Sequence, residues 1–372
     1  HAGDRWARRR PFAPFGVAAR GAPGAVNMAK RTKTLGSSSG MALVADIGGT
    51  YARFALAAPG DPPVVGVAKV YRAGDFVSVA DAARAFCSEV EASPASACFA
   101  VAGPVTDDVV EFTNSPWTLD IEATRRALAL DRLLAVNDFE ALAASVRRLA
   151  PSDLVRVKGG VAVAQAPVLV VGPGTGFGQA LIVPVAGAAD RIVPTEGGHV
   201  GFAPQTKAEL QLLAFLAREH GRVSVERILS GPGLVNIHRA LTETPGGSAA
   251  YPHADDLSRA ASEGRDPLAA KALDLFFAML GSAVGDAVLS TGARGGVVLG
   301  GGVVPKNREA LSKSDFIERF LAKGRMRGYV EATPIDLIIR EGAALVGAAA
   351  LLARPRPPRR PARRVRRGFQ NG

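Results

Sequence analysis

Residues 41–57 have the sequence MALVADIGGTYARFALA, in which the pair Gly48-Gly49 separates two short apolar runs. An apolar run, a glycine pair and a second apolar run predict two strands joined by a tight turn. Residues 168–183, with the sequence VLVVGPGTGFGQALIV, repeat this arrangement around the glycines of residues 172–178. The repeat predicts a duplicated α/β architecture, in which each half begins with a glycine-turn hairpin.

The segments after each hairpin alternate between helical and strand-like patterns. Helical spacing predicts helices over residues 78–90, 121–130, 139–149, 207–219, 232–241, 268–290 and 343–352. Apolar runs predict further strands over residues 64–70, 97–102, 109–112, 133–136, 296–299 and 335–339. In such a fold we expect a ligand between the halves, at the carboxyl ends of the strands.

The positive charge of the chain is concentrated at its ends. The 372 residues carry a formal net charge of +11, to which residues 1–40 contribute +7 and residues 353–372 contribute +8. The body between them, residues 41–352, has a net charge of −4. We expect a disordered basic extension over 1–40 and a disordered Arg/Pro-rich tail over 353–372. An interpretation as a protein that contacts nucleic acid or another polyanion depends on these ends alone, and an incidental extension is the favoured alternative.

Composition excludes several other classes of protein. The two cysteines, Cys87 and Cys98, are too few for a disulfide framework or a four-cysteine zinc site, so we expect a cytoplasmic protein. Residues 161–189 contain no charged side chain, but three prolines and several glycines interrupt them. We therefore expect buried strands around a turn there, and no membrane partner.

The two glycine turns are candidate phosphate sites. Glycines let backbone N–H groups approach phosphate oxygens closely, and Thr50 adds a hydroxyl donor after Gly48-Gly49. Asp46, at the end of the first strand, is placed to hold Mg²⁺ through water. Neither turn has the Walker sequence or the dinucleotide fingerprint. A single glycine turn is more often only a hairpin, but one in each half favours a phosphate clamp.

Polar residues follow the strands between the two turns. Asn137-Asp138 come after an apolar run and before a helix, where Asp138 either caps the helix or acts as a general base on a hydroxyl that attacks a γ-phosphate. The position beside the phosphate turns favours the base. Glu196, His199 and Glu226 supply groups that a sugar site needs, because each hydroxyl both donates and accepts. The alternatives are a structural core histidine for His199 and a surface helix position for Glu226.

Taken together, these motifs resemble those of the bacterial glucokinase family, which belongs to the hexokinase–actin–Hsp70 superfamily of ATPases. The resemblance runs from residue 41 to about residue 352. The segments that carry it are DIGGT (46–50), ARF (52–54), TN (113–114), VNDF (136–139), GTGFG (174–178), EGGHVGFAP (196–204), residues 224–234 and GGGVVP (300–305).

The resemblance implies a duplicated actin-like, ribonuclease-H-like ATPase fold with two domains around a cleft. It also implies transfer of the ATP γ-phosphate to the 6-hydroxyl of glucose, with Mg²⁺, as the first step of glycolysis, and Asp138 resembles the catalytic base. The implied glucose-binding residues are Asn137, Thr175, Gly176, Glu196, His199 and Glu226. The implied ATP-binding residues are Ala45, Asp46, Ile47, Gly48, Gly49, Thr50, Gly174, Thr175, Gly176, Gly300, Gly301 and Gly302. Asp46 is also the expected Mg²⁺-binding residue, through water.

We expect the small α/β domain to comprise residues 41–137 plus 341–352, and the large domain residues 138–340. Glucose and ATP are the expected ligands, and we expect a homodimer. Two departures from the family's pattern concern the phosphate turns. Tyr51 stands where the family usually has asparagine, and Pro173 removes one backbone N–H from the second turn.

Three alternatives to a glucokinase follow from the sequence. The first two keep a kinase but change the hexose, for instance to mannose, or the phosphoryl donor, for instance to polyphosphate, and sequence separates these poorly. The third is a non-catalytic sugar-responsive regulator, which needs a DNA-binding module, but residues 1–40 show no helix-turn-helix pattern. The related ROK kinases use the histidine of a similar block as a zinc ligand. This chain has no cysteine after Cys98, so that zinc site cannot form and His199 is free to bind sugar.

Overall fold

The structure is a computed structural model that describes residues 40–105, 107–112, 117–242 and 250–353. The basic extension up to residue 39 and the tail from residue 354 lie outside the described residues. So does Thr113-Asn114, one of the segments that carry the family resemblance.

The first half of the chain contains eight strands and three helices among the described residues. The strands are β1 (Ala42–Ile47), β2 (Tyr51–Ala58), β3 (Val64–Val65), β4 (Lys69–Arg72), β5 (Ser96–Val101), β6 (Val109–Glu111), β7 (Thr118–Asp120) and β8 (Arg132–Asn137). The helices are α1 (Val79–Glu89), α2 (Ile121–Ala127) and α3 (Asp138–Ser145).

The second half adds the remaining described elements. Its strands are β9 (Leu154–Lys158), β10 (Val168–Pro173), β11 (Phe177–Val183), β12 (Arg191–Thr195), β13 (Gly296–Leu299) and β14 (Ile335–Ile338). Its helices are α4 (Lys207–His220), α5 (Gly231–Leu241), α6 (Ala254–Ser262), α7 (Pro267–Thr291), α8 (Val303–Lys306), α9 (Arg308–Lys313), α10 (Phe316–Leu321), α11 (Arg327–Glu331) and α12 (Ala343–Leu352).

The two main sheets have matching connectivity. In the first, β1 pairs with β2 antiparallel and with β5 parallel, and β5 pairs with β8 parallel. In the second, β10 pairs with β11 antiparallel and with β13 parallel, and β13 pairs with β14 parallel. The predicted duplication around two glycine-turn hairpins is therefore confirmed.

Helices α3 and α12 lie between the two sheets. Phe139 and Ala143 of α3 pack on the second sheet, whereas Leu345 and Ala348 of α12 pack on the first. The helices cross closely, because a Cβ on Gly347 would overlap the backbone carbonyl of Ala141. Small residues at the crossing thus let the helices approach backbone to backbone. These contacts agree with the expected division into a small and a large domain, whose boundaries stay a prediction.

Helix α7 is the one helix in the described part of the chain that is long and apolar enough to cross a bilayer by length and composition. Within the protein, 67% of its most apolar window is buried. Phe276 and Phe277, fully buried, contribute to the core that α7 shares with α5, α6 and α10. This burial is typical of a central core helix.

The structure differs from the sequence-based expectations in several local details. The strand expected over 64–70 is two short strands, β3 and β4, because the register of pairing with β2 shifts by one residue between Val65 and Lys69. The helix expected over 139–149 ends at Ser145 and continues only as a 3₁₀ turn. Strands β7, β9 and β12 and helices α6 and α8 to α11 were not expected from the sequence.

Candidate active site

Asp138 is the first residue of α3 and follows β8 directly. The side-chain oxygen of Asn137 caps this helix, accepting from the N–H of Phe139 at 2.9 Å and of Glu140 at 3.2 Å. The Asn137 amide donates to the carbonyl of Gly103 at 3.1 Å, which fixes its orientation. Asn137, not Asp138, thus occupies the capping position, so capping alone does not account for Asp138.

The carboxylates of Asp138, Asp46 and Glu196 interact electrostatically. Burial raises the pKa of Asp138 to about 7, with a further upward effect of the negative charges on Asp46 and Glu196. Burial also raises the pKa of Asp46, against the opposing effect of the Arg53 guanidinium on the facing strand. A carboxylate with a pKa near neutrality is suited to accept a proton during a reaction at physiological pH.

The first glycine turn is held by backbone hydrogen bonds on both sides. The N–H of Gly48 donates to the carbonyl of Tyr51 at 2.9 Å, and the N–H of Ala73 donates to the carbonyl of Thr50 at 2.8 Å. The Tyr51 side chain is 57% exposed. The departure from asparagine at this position therefore leaves the hairpin intact.

The second glycine turn and the third glycine stretch lie against each other. A Cβ on Gly172 would overlap the carbonyl of Gly300, and a Cβ on Gly301 would overlap that of Pro173. Gly301 also has a φ of +80°, which favours glycine. At the tip of the turn the N–H of Gly174 donates to the carbonyl of Gly176 at 2.7 Å, so the hairpin closes despite the proline.

The predicted sugar-binding residues approach the same turn. The Glu226 carboxylate accepts from the N–H of Phe177 at 2.8 Å and leaves no room for a Cβ on Gly176. The N–H of Glu226 donates to the carbonyl of Gly198 at 2.9 Å, which joins Glu226 to the turn that carries Glu196 and His199. Their side chains are close, with 3.7 Å from His199 Nε2 to Glu196 Oε2.

The purely structural alternatives for His199 and Glu226 do not agree with the structure. The His199 side chain is 59% exposed, so it is not a core histidine. Glu226 is half-buried in a turn ahead of α5, so it is not on the surface of a helix. The predicted site residues lie at the end of β1, in three glycine stretches, at the junction of β8 with α3 and in the segments around 196–199 and 226. Their individual roles stay predictions.

The contact between Phe139 and Gly178 was not predicted from the sequence, although both residues lie inside recognised motifs. A Cβ on Gly178 would overlap the Phe139 ring, so the ring lies directly on β11. Phe139 follows Asp138, and Gly178 ends the second glycine turn. The absence of a side chain at Gly178 therefore brings Asp138 toward that turn.

The donor set fits a magnesium ion held mainly by a nucleotide. Within the described ranges, no group of three or more His, Cys, Asp or Glu side chains is arranged as a metal site. The negative charge of Asp46 nevertheless raises the pKa of the half-buried Asp138 carboxyl, and a divalent cation would offset this repulsion. Mg²⁺ usually takes one or two carboxylates and fills its other positions with water and phosphate oxygens.

Comparison with known proteins gives a consistent result. The family model described as Glucokinase matches residues 43–355. The glucokinase of Paramagnetospirillum magneticum is 42% identical over 320 residues, which cover 86% of this chain and 99% of that protein. The glucokinase of Cupriavidus pinatubonensis is 41% identical over 316 residues, which cover 84% of this chain and 92% of that protein.

Among solved structures, a glucokinase from an Antarctic psychrotroph superposes with a TM-score of 0.71 at 37% identity, covering 84% of this chain and 98% of the other. The expected duplicated actin-like fold is thereby confirmed. With the matching motifs, sheets and cleft residues, these similarities establish that the chain belongs to the glucokinase family.

Proposed function

We propose that Asp138 is the general base with which this enzyme transfers the γ-phosphoryl group of ATP to the 6-hydroxyl of glucose. The hydroxyl oxygen forms a bond to the γ-phosphorus while its proton passes to the Asp138 carboxylate. The bond from phosphorus to the β–γ bridging oxygen breaks, and ADP leaves with that electron pair. The observation that carries this assignment is the pKa of Asp138, which the surroundings raise to about 7.

The sugar is held by groups around the second glycine turn. Glu226, fixed by the Phe177 N–H, and the neighbouring pair Glu196 and His199 offer carboxylate and imidazole partners to sugar hydroxyls. Asn137, which its own hydrogen bonds fix at the start of α3, is a further sugar-binding residue in this proposal. The backbone of Thr175 and Gly176 completes this side of the sugar site.

The phosphates of ATP lie between the first and second glycine turns in this proposal, with Gly300 to Gly302 beside the adenosine. Backbone N–H groups and the Thr50 hydroxyl donate to phosphate oxygens. Asp46 would hold Mg²⁺ through water, and the ion would neutralise charge on the β- and γ-phosphates when bound.

The direct test replaces Asp138 with asparagine, which keeps the size of the side chain but cannot take the proton. A coupled assay of ADP release should show that kcat falls by about 10²- to 10⁴-fold, which is the usual contribution of a general base to the rate. Calorimetry should show glucose affinity within a few-fold of the unchanged protein. Glu140→Gln, which removes a carboxylate from the same helical turn, serves as the control and should retain most of the activity. An unchanged kcat in Asp138→Asn would refute the assignment of the base.

The exact hexose and phosphoryl donor are tested with a substrate panel. Glucose, mannose and fructose are each combined with ATP, ADP and polyphosphate, and kcat/KM is compared. We expect glucose with ATP to give the highest value. A higher value for any other combination would reassign the substrate or the donor.

We further propose that sugar binding closes the two halves over the cleft, that the enzyme is a homodimer and that it acts in the cytoplasm. Closure would expel water and bring Asp138 to the hydroxyl. Small-angle scattering should show compaction on addition of glucose, and light scattering should give twice the chain mass. An unchanged radius of gyration would argue against closure, and a monomer mass against the dimer.

A further inference from the structure

The segment after α4 carries an arginine to which the reaction described above assigns no part. Helix α4 ends at His220, and Gly221, with a φ of +64°, turns the chain away from the helix axis. The next residue, Arg222, is exposed, and its guanidinium Nη2 donates to the backbone carbonyl of His199 at 2.7 Å. Arg222 therefore reaches the turn that carries two proposed sugar-binding side chains.

Three successive carbonyls of this turn are held by the segment that begins at Arg222. The carbonyl of Gly198 accepts from the N–H of Glu226 at 2.9 Å, and that of Val200 accepts from the N–H of Val225 at 3.0 Å. The carbonyl of His199, between them, accepts from Arg222. Arg222 thus supplies the side-chain member of a set of three hydrogen bonds that joins the two parts of the sugar site.

The side chains of Glu196 and His199 depend strongly on this backbone. They are 56% and 59% exposed, so packing fixes them only in part. Gly197 and Gly198, between them, lie directly on β11, because a Cβ on Gly197 would overlap the Gln179 side chain and one on Gly198 the Phe177 carbonyl. The orientation of the carboxylate and the imidazole therefore depends on the backbone of the turn, which its packing on β11 holds on one side and its hydrogen bonds to the segment from Arg222 to Glu226 hold on the other.

We propose that Arg222 is a positioning residue for glucose binding, which orients His199 and Glu196 through the His199 carbonyl without touching the sugar. A hydrogen bond from a charged donor is generally stronger than one between neutral groups, and this bond is the shortest of the three. The proposal rests on the proposed sugar-binding role of His199 and Glu196.

The test compares Arg222→Ala with two matched variants. In Arg222→Ala, both KM and Kd for glucose should rise about three- to tenfold, the effect of losing one exposed charge-assisted hydrogen bond. The kcat value and KM for ATP should change less than about twofold. Arg222→Lys, which keeps a charged donor, should recover much of the affinity. Arg218→Ala removes the same charge from the exposed face of α4, where Arg218 lies over the Phe215 ring, and should leave KM unchanged.

The outcomes separate this proposal from the proposed function. If the unchanged protein bound glucose without turning it over, the kinase assignment would fail, but the effect of Arg222 on glucose Kd would still be measurable. An unchanged glucose Kd in Arg222→Ala would overturn the positioning role. So would an equal rise in Arg218→Ala, which would indicate a general effect of charge, or a loss of kcat at constant KM. If Arg222→Ala melts well below the unchanged protein, Arg222→Lys becomes the deciding variant. A glucose Kd in Arg222→Lys as high as that in Arg222→Ala would then overturn the positioning role.

Discussion

Replacing Asp138 with asparagine should stabilise the folded protein at alkaline pH while it removes most of the turnover. The pKa of Asp138 is raised to about 7 in the folded state, so this state holds the proton more tightly than the unfolded chain does. The contribution of Asp138 to stability is therefore lost as pH rises from about 4, its unfolded value, to about 7. Above that range the buried charge lowers the free energy of unfolding by a constant amount.

The magnitude follows from the size of the shift. A change from 3.8 to about 7 is about three pKa units, which corresponds to an upper limit of about 4 kcal/mol. Because the side chain is only half-buried and water screens its charge, we expect a gain of about 1–2 kcal/mol in Asp138→Asn. Asparagine also keeps an oxygen that can accept from the Phe139 N–H, as Asp138 Oδ1 does at 2.9 Å.

Scanning calorimetry at two pH values measures this effect. The Tm of Asp138→Asn should exceed that of the unchanged protein at pH 8.5, and the difference should shrink at pH 5.5, where the unchanged protein carries the proton. Glu140→Gln, the control, should lower Tm slightly, because it removes a favourable negative charge near the start of a helix. A Tm difference in Asp138→Asn that is absent at pH 8.5, or equal at both pH values, would refute the reasoning.

The remaining predictions concern the pH profile and two glycines. Initial rates should show kcat/KM rising with pH through about 7 and falling about tenfold per unit well below it, because only ionised Asp138 accepts the proton; a flat profile from pH 5 to 8 would contradict this. Gly178→Ala should cost about 1–3 kcal/mol of stability and at least tenfold in kcat, because its Cβ overlaps the Phe139 ring; unchanged Tm and kcat would contradict the contact. Gly176→Ala should leave Tm nearly unchanged but raise KM for glucose, because its Cβ displaces only the end of the Glu226 side chain; an unchanged KM would count against the role of Glu226.

The two hairpins could be predicted from the sequence because a glycine turn between apolar runs is a local signal. Strand β12 could not, since residues 191–195 include Pro194 and lie at the edge of their sheet, where half-exposed residues replace an apolar run. Helix α2 stops at Ala127 rather than at residue 130, because Ala129 adopts a φ of +51°, which no local pattern indicates.

The candidate site was predicted residue by residue, but its internal contacts were not. From the sequence, either Asn137 or Asp138 could cap helix α3. Only the hydrogen bonds that the Asn137 side chain accepts show which residue does so. The bond from Phe177 to Glu226 joins residues 49 positions apart, and the Phe139 ring meets Gly178 across two elements. Such long-range contacts depend on how the two sheets and α3 pack, which a single sequence does not state.

The placement of α3 and α12 has a consequence for dividing the chain. Helix α3 comes from the first half of the sequence and covers the second sheet, whereas α12 comes from the end of the sequence and covers the first. Each half thus donates a helix to its neighbour, as two subunits do in a domain swap. A chain cut between α3 and β9 would leave each sheet with one apolar face uncovered, and reassociation of the two fragments would restore both faces at once. The architecture is therefore a natural basis for a split enzyme, in which phosphoryl transfer reports that two fragments have met.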